Sequence, residues 1–291
     1  MKDAIDHTNL LAPPTGDVNL RDFDPAFTAG IASKHDAERK LSADIERLAT
    51  LQNVFYADRR HALLVIFQGM DTAGKDGAIR HVMSGVSPQG IDVYPFAVPS
   101  AMELSHDYLW RCAKVLPERG RIAIFNRSYY EELVVVRVNE AALAREELPP
   151  KPTGAKLWQE RYEDIVAFER HLIRNGTLVV KFFLHVSKDE QRKRLLERID
   201  LPEKNWKLSA ADLHDRLSWD AYQGAYELLL ANTSTESSPW YVIPADHKWF
   251  TRAAVADVLV ARLEGLGLAY PKLSDDGRRQ MVDERKALAI S

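Results

Sequence analysis

The sequence predicts an α/β fold, a mostly parallel sheet covered by helices on both faces. Three observations predict it. Short apolar runs alternate along the chain with longer stretches whose apolar residues recur at helical spacing. The runs at 62–67 and 121–126 and most of 177–186 are apolar without alternation, as in strands buried on both faces. No segment repeats another, which removes the solenoid and propeller architectures. A chain of 291 residues forms one large domain, or one domain with an inserted lid, and is long enough to bury a full core without staples.

Residues 1–34 carry Pro13, Pro14, Gly16, Pro25 and Gly30 without a period, and read as an arm lying on the domain or on a partner subunit. Residues 35–59 read as a long helix with Leu41, Ile45, Leu48, Gln52 and Phe55 on one stripe. Ala62–Phe67 is the first buried strand, and Ile79, Val82, Met83 and Val86 mark a helix after it. A short strand at 91–96 follows. Ser100 with Glu103 three residues on forms a capping box, opening a helix that ends before Pro117. Residues 121–126 are the next buried strand, and a polar cluster, Asn126 to Glu132, stands at its carboxyl end. Ligands of open α/β sheets bind outside the carboxyl ends of strands, so this cluster is a site candidate. Residues 139–155 read as a loop, and a helix with Trp158, Tyr162, Ile165, Phe168 and Leu172 inward leads to the strand 177–186. Lys181 inside that strand has to reach an end, an anion or an acid.

Residues 187–200 read as a helix opened by Ser187 and Glu190. Its period places Leu195, Leu196 and Ile199 on one face and Gln191, Arg194 and Arg198 roughly opposite. Seven basic residues against five acidic ones between 188 and 207 suit either a solvated helix or an arginine-bearing lid. A helix at 210–230, a strand at 240–244 and a helix at 250–266 complete the domain at about residue 270. Residues 271–291 read as a tail.

The chemistry is concentrated after the first strand. Gly69, Gly74 and Lys75 fit G-x-x-x-x-G-K, and strand, glycine loop and helix occur in the order that phosphate-binding motif requires. Glycines let backbone N–H groups curl around an anion, and the helix N-terminus adds partial positive charge. Lys75 supplies a mobile ammonium. The Ser/Thr that normally follows the lysine is Asp76 here, and Asp71 places a second carboxylate inside the loop. An anion beside bound phosphate is repulsive unless a cation stands between them or the carboxyl takes a proton.

Composition limits the rest. A net charge of −3 gives no global attraction to nucleic acid. One cysteine, Cys112, allows no intramolecular disulfide. The N-terminus lacks the apolar stretch of a secretory signal, and no apolar run reaches the ~18 residues of a membrane span. The expectation is a cytoplasmic protein with no membrane or nucleic-acid partner.

Six stretches together resemble the family-2 polyphosphate kinases over roughly residues 35–265: GMDTAGKDGAIR, PSAMELSHDYLWR, FNRSYYEEL, FFLHVSKDEQRKRL, NWKLSAADLHDRLSWDAY and TSTESSPWYVIPADHKW. The resemblance implies a P-loop kinase fold with a helical lid at about 188–216. It implies phosphoryl transfer between inorganic polyphosphate and nucleotides with Mg2+, and a homo-oligomer, dimer or tetramer. Asn126 where other branches have Asp resembles the branch that accepts both AMP and ADP, giving ADP and ATP. Carried over by position, Asp71, Lys75, Arg127, Glu132, Arg194 and Arg198 are the expected catalytic residues. Gly69, Met70, Thr72, Ala73, Gly74, Asp76, Gly77, Asn126, Arg127, Glu131, Lys181 and Arg216 are expected on phosphate or nucleotide, with Asp71 and Glu132 on the metal. In that mechanism a phosphate oxygen of the acceptor attacks the terminal phosphorus in line, and positioning and charge neutralisation carry the rate. An ATP-dependent nucleoside monophosphate kinase and a non-catalytic nucleotide sensor are the alternatives.

Overall fold

The computed structural model describes residues 5–146, 148, 154–206 and 210–289. The phosphate-loop strand lies at the centre of the architecture. In chain order the elements are α1 (Lys34–Asp58), β1 (Ala62–Gln68), α2 (Lys75–Val82), β2 (Ile91–Pro95), α3 (Ala101–Leu104), α4 (Trp110–Ala113), β3 (Ile122–Asn126), α5 (Glu131–Val138) and α6 (Glu140–Ala144). They continue with α7 (Ala155–Arg174), β4 (Thr177–His185), α8 (Lys188–Asp200), α9 (Pro202–Asn205), α10 (Ala210–Leu217), α11 (Trp219–Thr233), β5 (Trp240–Pro244), α12 (Lys248–Glu264) and α13 (Asp275–Leu288).

The five strands form one parallel sheet in the order β2-β3-β1-β4-β5. Val65 of β1 pairs with Ile124 on one side and Val180 on the other. Every residue of β1 is buried, as its unbroken apolar run requires. One layer packs α1 and α2 with α12, and a second packs α5, α7 and α11 together, so the sheet is covered on both faces. All loops that leave carboxyl ends of strands therefore open on one edge of the sheet.

Helix boundaries depart from the periodicity in four places. The stretch expected as one helix from 100 is two short helices; the Ser100–Glu103 capping box forms, but the Asp107 carboxylate accepts from Leu109 N–H in the turn that interrupts it. The helix expected at 210–230 breaks at Ser218 into α10 and α11. The expected loop at 139–155 contains α6, started by the Asn139 side chain; residues 147 and 149–153 lie outside the described residues, as do 207–209 of the lid segment. The tail carries α13, capped by Ser274, with Asp275 and Asp276 in its first turn and Arg285 and Lys286 in its last. Those charges complement the helix dipole, which local periodicity does not register.

The N-terminal arm folds onto its own domain. Leu10, Ala12, Val18 and Leu20 are buried. Leu11 bridges Tyr241 antiparallel, and Ala12 N–H donates to Trp240 O at 2.9 Å, beside the outer edge of β5. His7 meets the Asp257 carboxylate of α12 at 2.7 Å, and the same carboxylate takes Lys40 from α1. The arm needs no partner subunit to be accounted for.

Candidate active site

The loop between β1 and α2 is built by backbone shape. Gly69 has φ +147° and Gly74 φ +107°, and a Cβ on Gly69 would stand 2.7 Å from Leu184 O. Thr72 and Arg127 also hold positive φ, 65° and 66°, although neither is glycine. Such strain persists only where surrounding contacts over-determine the backbone. Here it falls on the two segments that carry the candidate chemistry.

Lys75 folds back under the loop, its ammonium donating to Gly69 O at 2.6 Å and Met70 O at 3.2 Å. Burial, and then the neighbouring Arg127 guanidinium, push its pKa down to about 8 against the pull of Asp71, Glu131 and Asp76. Arg127 lies across the mouth. Its guanidinium bonds Asp71 at 2.7 Å and Glu131 at 3.3 Å, and these carboxylates hold its pKa above the ordinary arginine value. The repulsive loop carboxylate thus has a protein cation beside it. Asn126 donates to the Asp76 carboxylate at 2.8 Å, so the amide supports the residue that replaces the usual Ser/Thr. Helix α11 closes this side with Tyr222 and Tyr226, both buried, and Tyr222 donates to Asp215 at 2.7 Å. The structure therefore brings Asp71, Lys75, Asp76, Asn126, Arg127 and Glu131 into one cluster at the carboxyl ends of β1 and β3.

Other expected site residues are placed differently. Glu132 turns away into α5 and is buried, its carboxylate on Arg161 at 3.1 Å; Arg161 also holds Glu146 at 2.5 Å. One guanidinium serves two carboxyls there. Burial, and then Glu146, push the Glu132 pKa up to about 8 despite Arg161. The Glu132 carboxylate, expected on a metal with Asp71, is paired with Arg161 in this structure. Lys181 is fully buried and donates to Glu169 at 2.7 Å, Thr233 O at 2.8 Å and Tyr130 Oη at 3.1 Å. Of the three destinations open to it, it takes the acid. Its donors are spent inside the core, which corrects its assignment to phosphate.

Helix α8 turns the face of Gln191 and Arg194 inward, with Leu195 buried beside it. Gln191 and Arg194 are buried, whereas Leu196 and Ile199 are 49% and 54% exposed. Arg194 donates to Thr72 O at 2.9 Å, Ala73 O at 3.2 Å and Ala245 O at 2.6 Å, and pairs with Glu190 at 2.8 Å. This commits the guanidinium to clamping the phosphate loop against the end of β5. Glu190 serves Arg194 rather than completing a capping box, and Ser187 N–H donates to Asp246 instead. Arg216 of α10 bonds Lys188 O at 2.7 Å and the Gln191 amide oxygen at 3.0 Å, while Gln191 reaches Asp71 O at 3.3 Å. Arg216 thereby connects α10 to the loop through α8. Arg198 is half-buried one turn beyond Arg194.

Sequence reasoning missed a cavity of about 240 Å³ on the β2–β3 side of the loop, lined by Glu103, Tyr108, Arg111, Glu132, Glu146 and Arg161 among others. Arg111 stands in DYLWR, one of the stretches quoted above, but its direction was not legible; nothing in the helical pattern of α7 marked Arg161. Tyr108 has a buried hydroxyl without a hydrogen-bond partner. Arg111 spends one donor on Ala97 O at 2.8 Å. The space is closed enough for a small organic group and carries polar groups to orient it.

A metal has a partial site. Among the described residues no group of three or more His, Cys, Asp or Glu side chains could hold an ion alone. Asp71 in the loop mouth fits a Mg2+ that takes one or two carboxylates and draws its other oxygens from phosphates and water. Among the described residues no helix is long and apolar enough to cross a membrane.

A parallel sheet with a glycine loop, a loop lysine and an arginine–carboxylate cluster at its carboxyl edge defines a P-loop kinase, an enzyme that transfers phosphoryl groups. Within that class the assignment is specific: residues 31–267 match the polyphosphate kinase 2 family, and the chain belongs to it. An ADP-polyphosphate phosphotransferase of Rhodopseudomonas palustris is 52% identical over 257 residues, covering 88% of this chain and 89% of the relative. An AMP/ADP-polyphosphate phosphotransferase of Meiothermus ruber is 47% identical over 260 residues, covering 89% and 93%. The crystal structure of polyphosphate kinase 2 from Arthrobacter aurescens TC1 superposes with a TM-score of 0.86 at 39% identity, over 97% of this chain and 98% of that one.

Proposed function

We propose that this enzyme transfers the terminal phosphoryl group of inorganic polyphosphate to AMP and ADP, giving ADP and ATP, and that the reaction is reversible. The observation that carries this reading is the loop-mouth cluster: Lys75 under the glycine loop, with Arg127 set between Asp71 and Glu131. Glu132, the residue after Glu131 on α5, lines the separate cavity with Tyr108 and Arg111. The names of the relatives above support the donor and the two acceptors.

In this reading the acceptor's nucleoside enters the cavity beside Tyr108 and Arg111, and its phosphate lies toward Arg127. Arg127 exchanges Asp71 for phosphate, and the loop N–H groups and Lys75 take the transferring group. Lys75 then moves from the carbonyls of Gly69 and Met70 to the phosphoryl oxygens, where negative charge restores its proton affinity. Mg2+, when bound at Asp71, neutralises phosphate charge. Helices α8 and α10 exclude water, so that transfer competes with hydrolysis. Assembly as a homo-oligomer and a cytoplasmic location belong to the same reading; the exposed Val93, Val98 and Met102 beside the edge strand β2 support assembly.

The test supplies AMP with polyphosphate or with ATP and resolves the product nucleotides. ADP followed by ATP from polyphosphate, with ATP a poor donor to AMP, is the expected outcome. Equal rates from both donors would make the protein a nucleoside monophosphate kinase, and tight nucleotide binding without turnover would make it a sensor.

A further inference from the structure

Behind the loop-mouth cluster lies a buried polar network that phosphate does not reach. Its centre is Glu169 of α7, and its side chains are all buried. One carboxylate oxygen, Oε1, accepts from the hydroxyls of Tyr129 at 2.9 Å and Tyr130 at 2.7 Å. The other, Oε2, accepts from Lys181 of β4 at 2.7 Å and from Ser238 Oγ, just before β5, at 3.3 Å. Lys181 also donates to Tyr130 Oη and to the carbonyl of Thr233, where α11 ends. Burial, and then the Glu169 charge, push the pKa of both tyrosines up, so each keeps the proton it donates. Apolar side chains of similar volume often stabilise a core as well as a buried ion pair does. What a fully satisfied network adds is a single fixed arrangement.

The arrangement fixed here is the turn after β3. Tyr129 and Tyr130 follow directly on Arg127 and Ser128. Arg127 holds φ +66°, a conformation that a residue with a side chain keeps only under constraint. On one side of it, its own N–H donates to Phe67 O at 3.0 Å. On the other, Tyr130 N–H donates to Ser128 Oγ at 3.2 Å, and both tyrosine side chains are tied to Glu169. The strained residue is thus held from both directions, and from there its guanidinium reaches Asp71 and Glu131. Glu131, the next residue after Tyr130, is placed by the same anchor. We propose that Glu169 is the positioning residue of Arg127, acting through the hydroxyls of Tyr129 and Tyr130 to aim the guanidinium across the loop mouth. The proposal rests on the reading above only in that Arg127 meets phosphate. Lys181 keeps the carboxylate in place for this task, which accounts for a lysine in the middle of a core strand.

The test measures kcat/KM for the acceptor nucleotide, with whichever donor, polyphosphate or ATP, turns over in wild type. The variants are Tyr129→Phe/Tyr130→Phe, Glu169→Gln, Arg127→Ala, and Arg127→Ala combined with the two phenylalanines. The phenylalanine pair removes both hydroxyl contacts and leaves the Glu169–Lys181 ion pair in place, so it decides the matter if Glu169→Gln fails to fold. Rates are taken well below each variant's thermal unfolding midpoint. The phenylalanine pair and Glu169→Gln should each lower kcat/KM roughly tenfold or more, the scale of a catalytic group displaced by about an ångström. In the Arg127→Ala background the phenylalanine pair should cost less than about twofold, because no guanidinium remains to be aimed. A folded phenylalanine pair with wild-type kcat/KM overturns the positioning role. An equal fold-loss in both backgrounds also overturns it and makes the network a structural support only. In either case a slow Arg127→Ala leaves phosphate on Arg127. Arg127→Ala at the wild-type rate overturns that reading and the positioning role together.

Discussion

Replacing Glu132 by glutamine separates a metal ligand from a buried acid. The folded carboxyl has a pKa of about 8 against an ordinary 4.5, because it is buried and shares Arg161 with Glu146. Between those values the folded chain keeps a proton that the unfolded chain has released. Unfolding therefore releases a proton, and the contribution to stability is full below the unfolded pKa and is lost as pH rises toward the folded one. The slope is about 1.4 kcal/mol per pH unit, so from pH ~5.5 to ~7.5 wild type should lose roughly 2–3 kcal/mol relative to Glu132→Gln. Glutamine keeps the shape and does not titrate. Urea unfolding of both proteins across this range reads the difference directly. The magnesium titration of activity should be the same in both, since the carboxyl is buried against Arg161 and Glu146. Parallel stability profiles together with a raised magnesium requirement in the variant would refute this and return Glu132 to the metal.

Lys75→Ala should leave the fold intact and lower kcat more than about tenfold, a loss above ~1.4 kcal/mol. In wild type kcat/KM should fall as pH rises through about 8, the pKa at which Lys75 gives up its proton in the free enzyme; a profile flat to pH ~10 would remove the ammonium from the chemistry. Lys181→Met leaves Glu169 buried without its cation and should cost about 3–5 kcal/mol in denaturant unfolding, with KM for polyphosphate little changed. The opposite pattern would place Lys181 on phosphate after all. Asn126→Asp brings a second carboxylate to the Asp76 oxygen now bonded at 2.8 Å; the ratio of AMP to ADP turnover should change, with the loss growing as pH rises and both ionise. A variant indistinguishable from wild type in initial-rate assays would remove that contact from the site.

All five strands, the phosphate loop and the cluster after β3 were legible, because the central strands are mostly apolar runs, the half-exposed edge strand β2 carries β-branched and aromatic residues, and glycine loops have fixed spacing. Side-chain direction was not. Glu131 and Glu132 are consecutive on one helix turn, so one reaches Arg127 and the other turns to Arg161. Spacing identifies two faces of α8 but not which one is buried; carbonyls of the loop and of Ala245 decided it by giving Arg194 more acceptors than water would have to compensate for. Arg161 and Glu146 come from segments that meet only in the fold, and no local pattern announces them.

The arm also fixes an order of events. Its contacts join residues about as far apart as the chain allows: His7 and Asp257 are separated by 250 positions, and Ile5 N–H reaches the same carboxylate across 252. During synthesis the arm emerges before the sheet, but its docking surface on β5 and α12 is made after the other four strands. Leu10 and Leu20, buried in the finished protein, stay exposed until β5 and α12 have been made. The arm consequently docks after the sheet is complete, when the closure entropy of that long loop has already been met by the domain in between. A nascent chain arrested before β5 would hold the phosphate loop, the Arg127 cluster and most of the core, yet its first thirty residues would still be open to a protease.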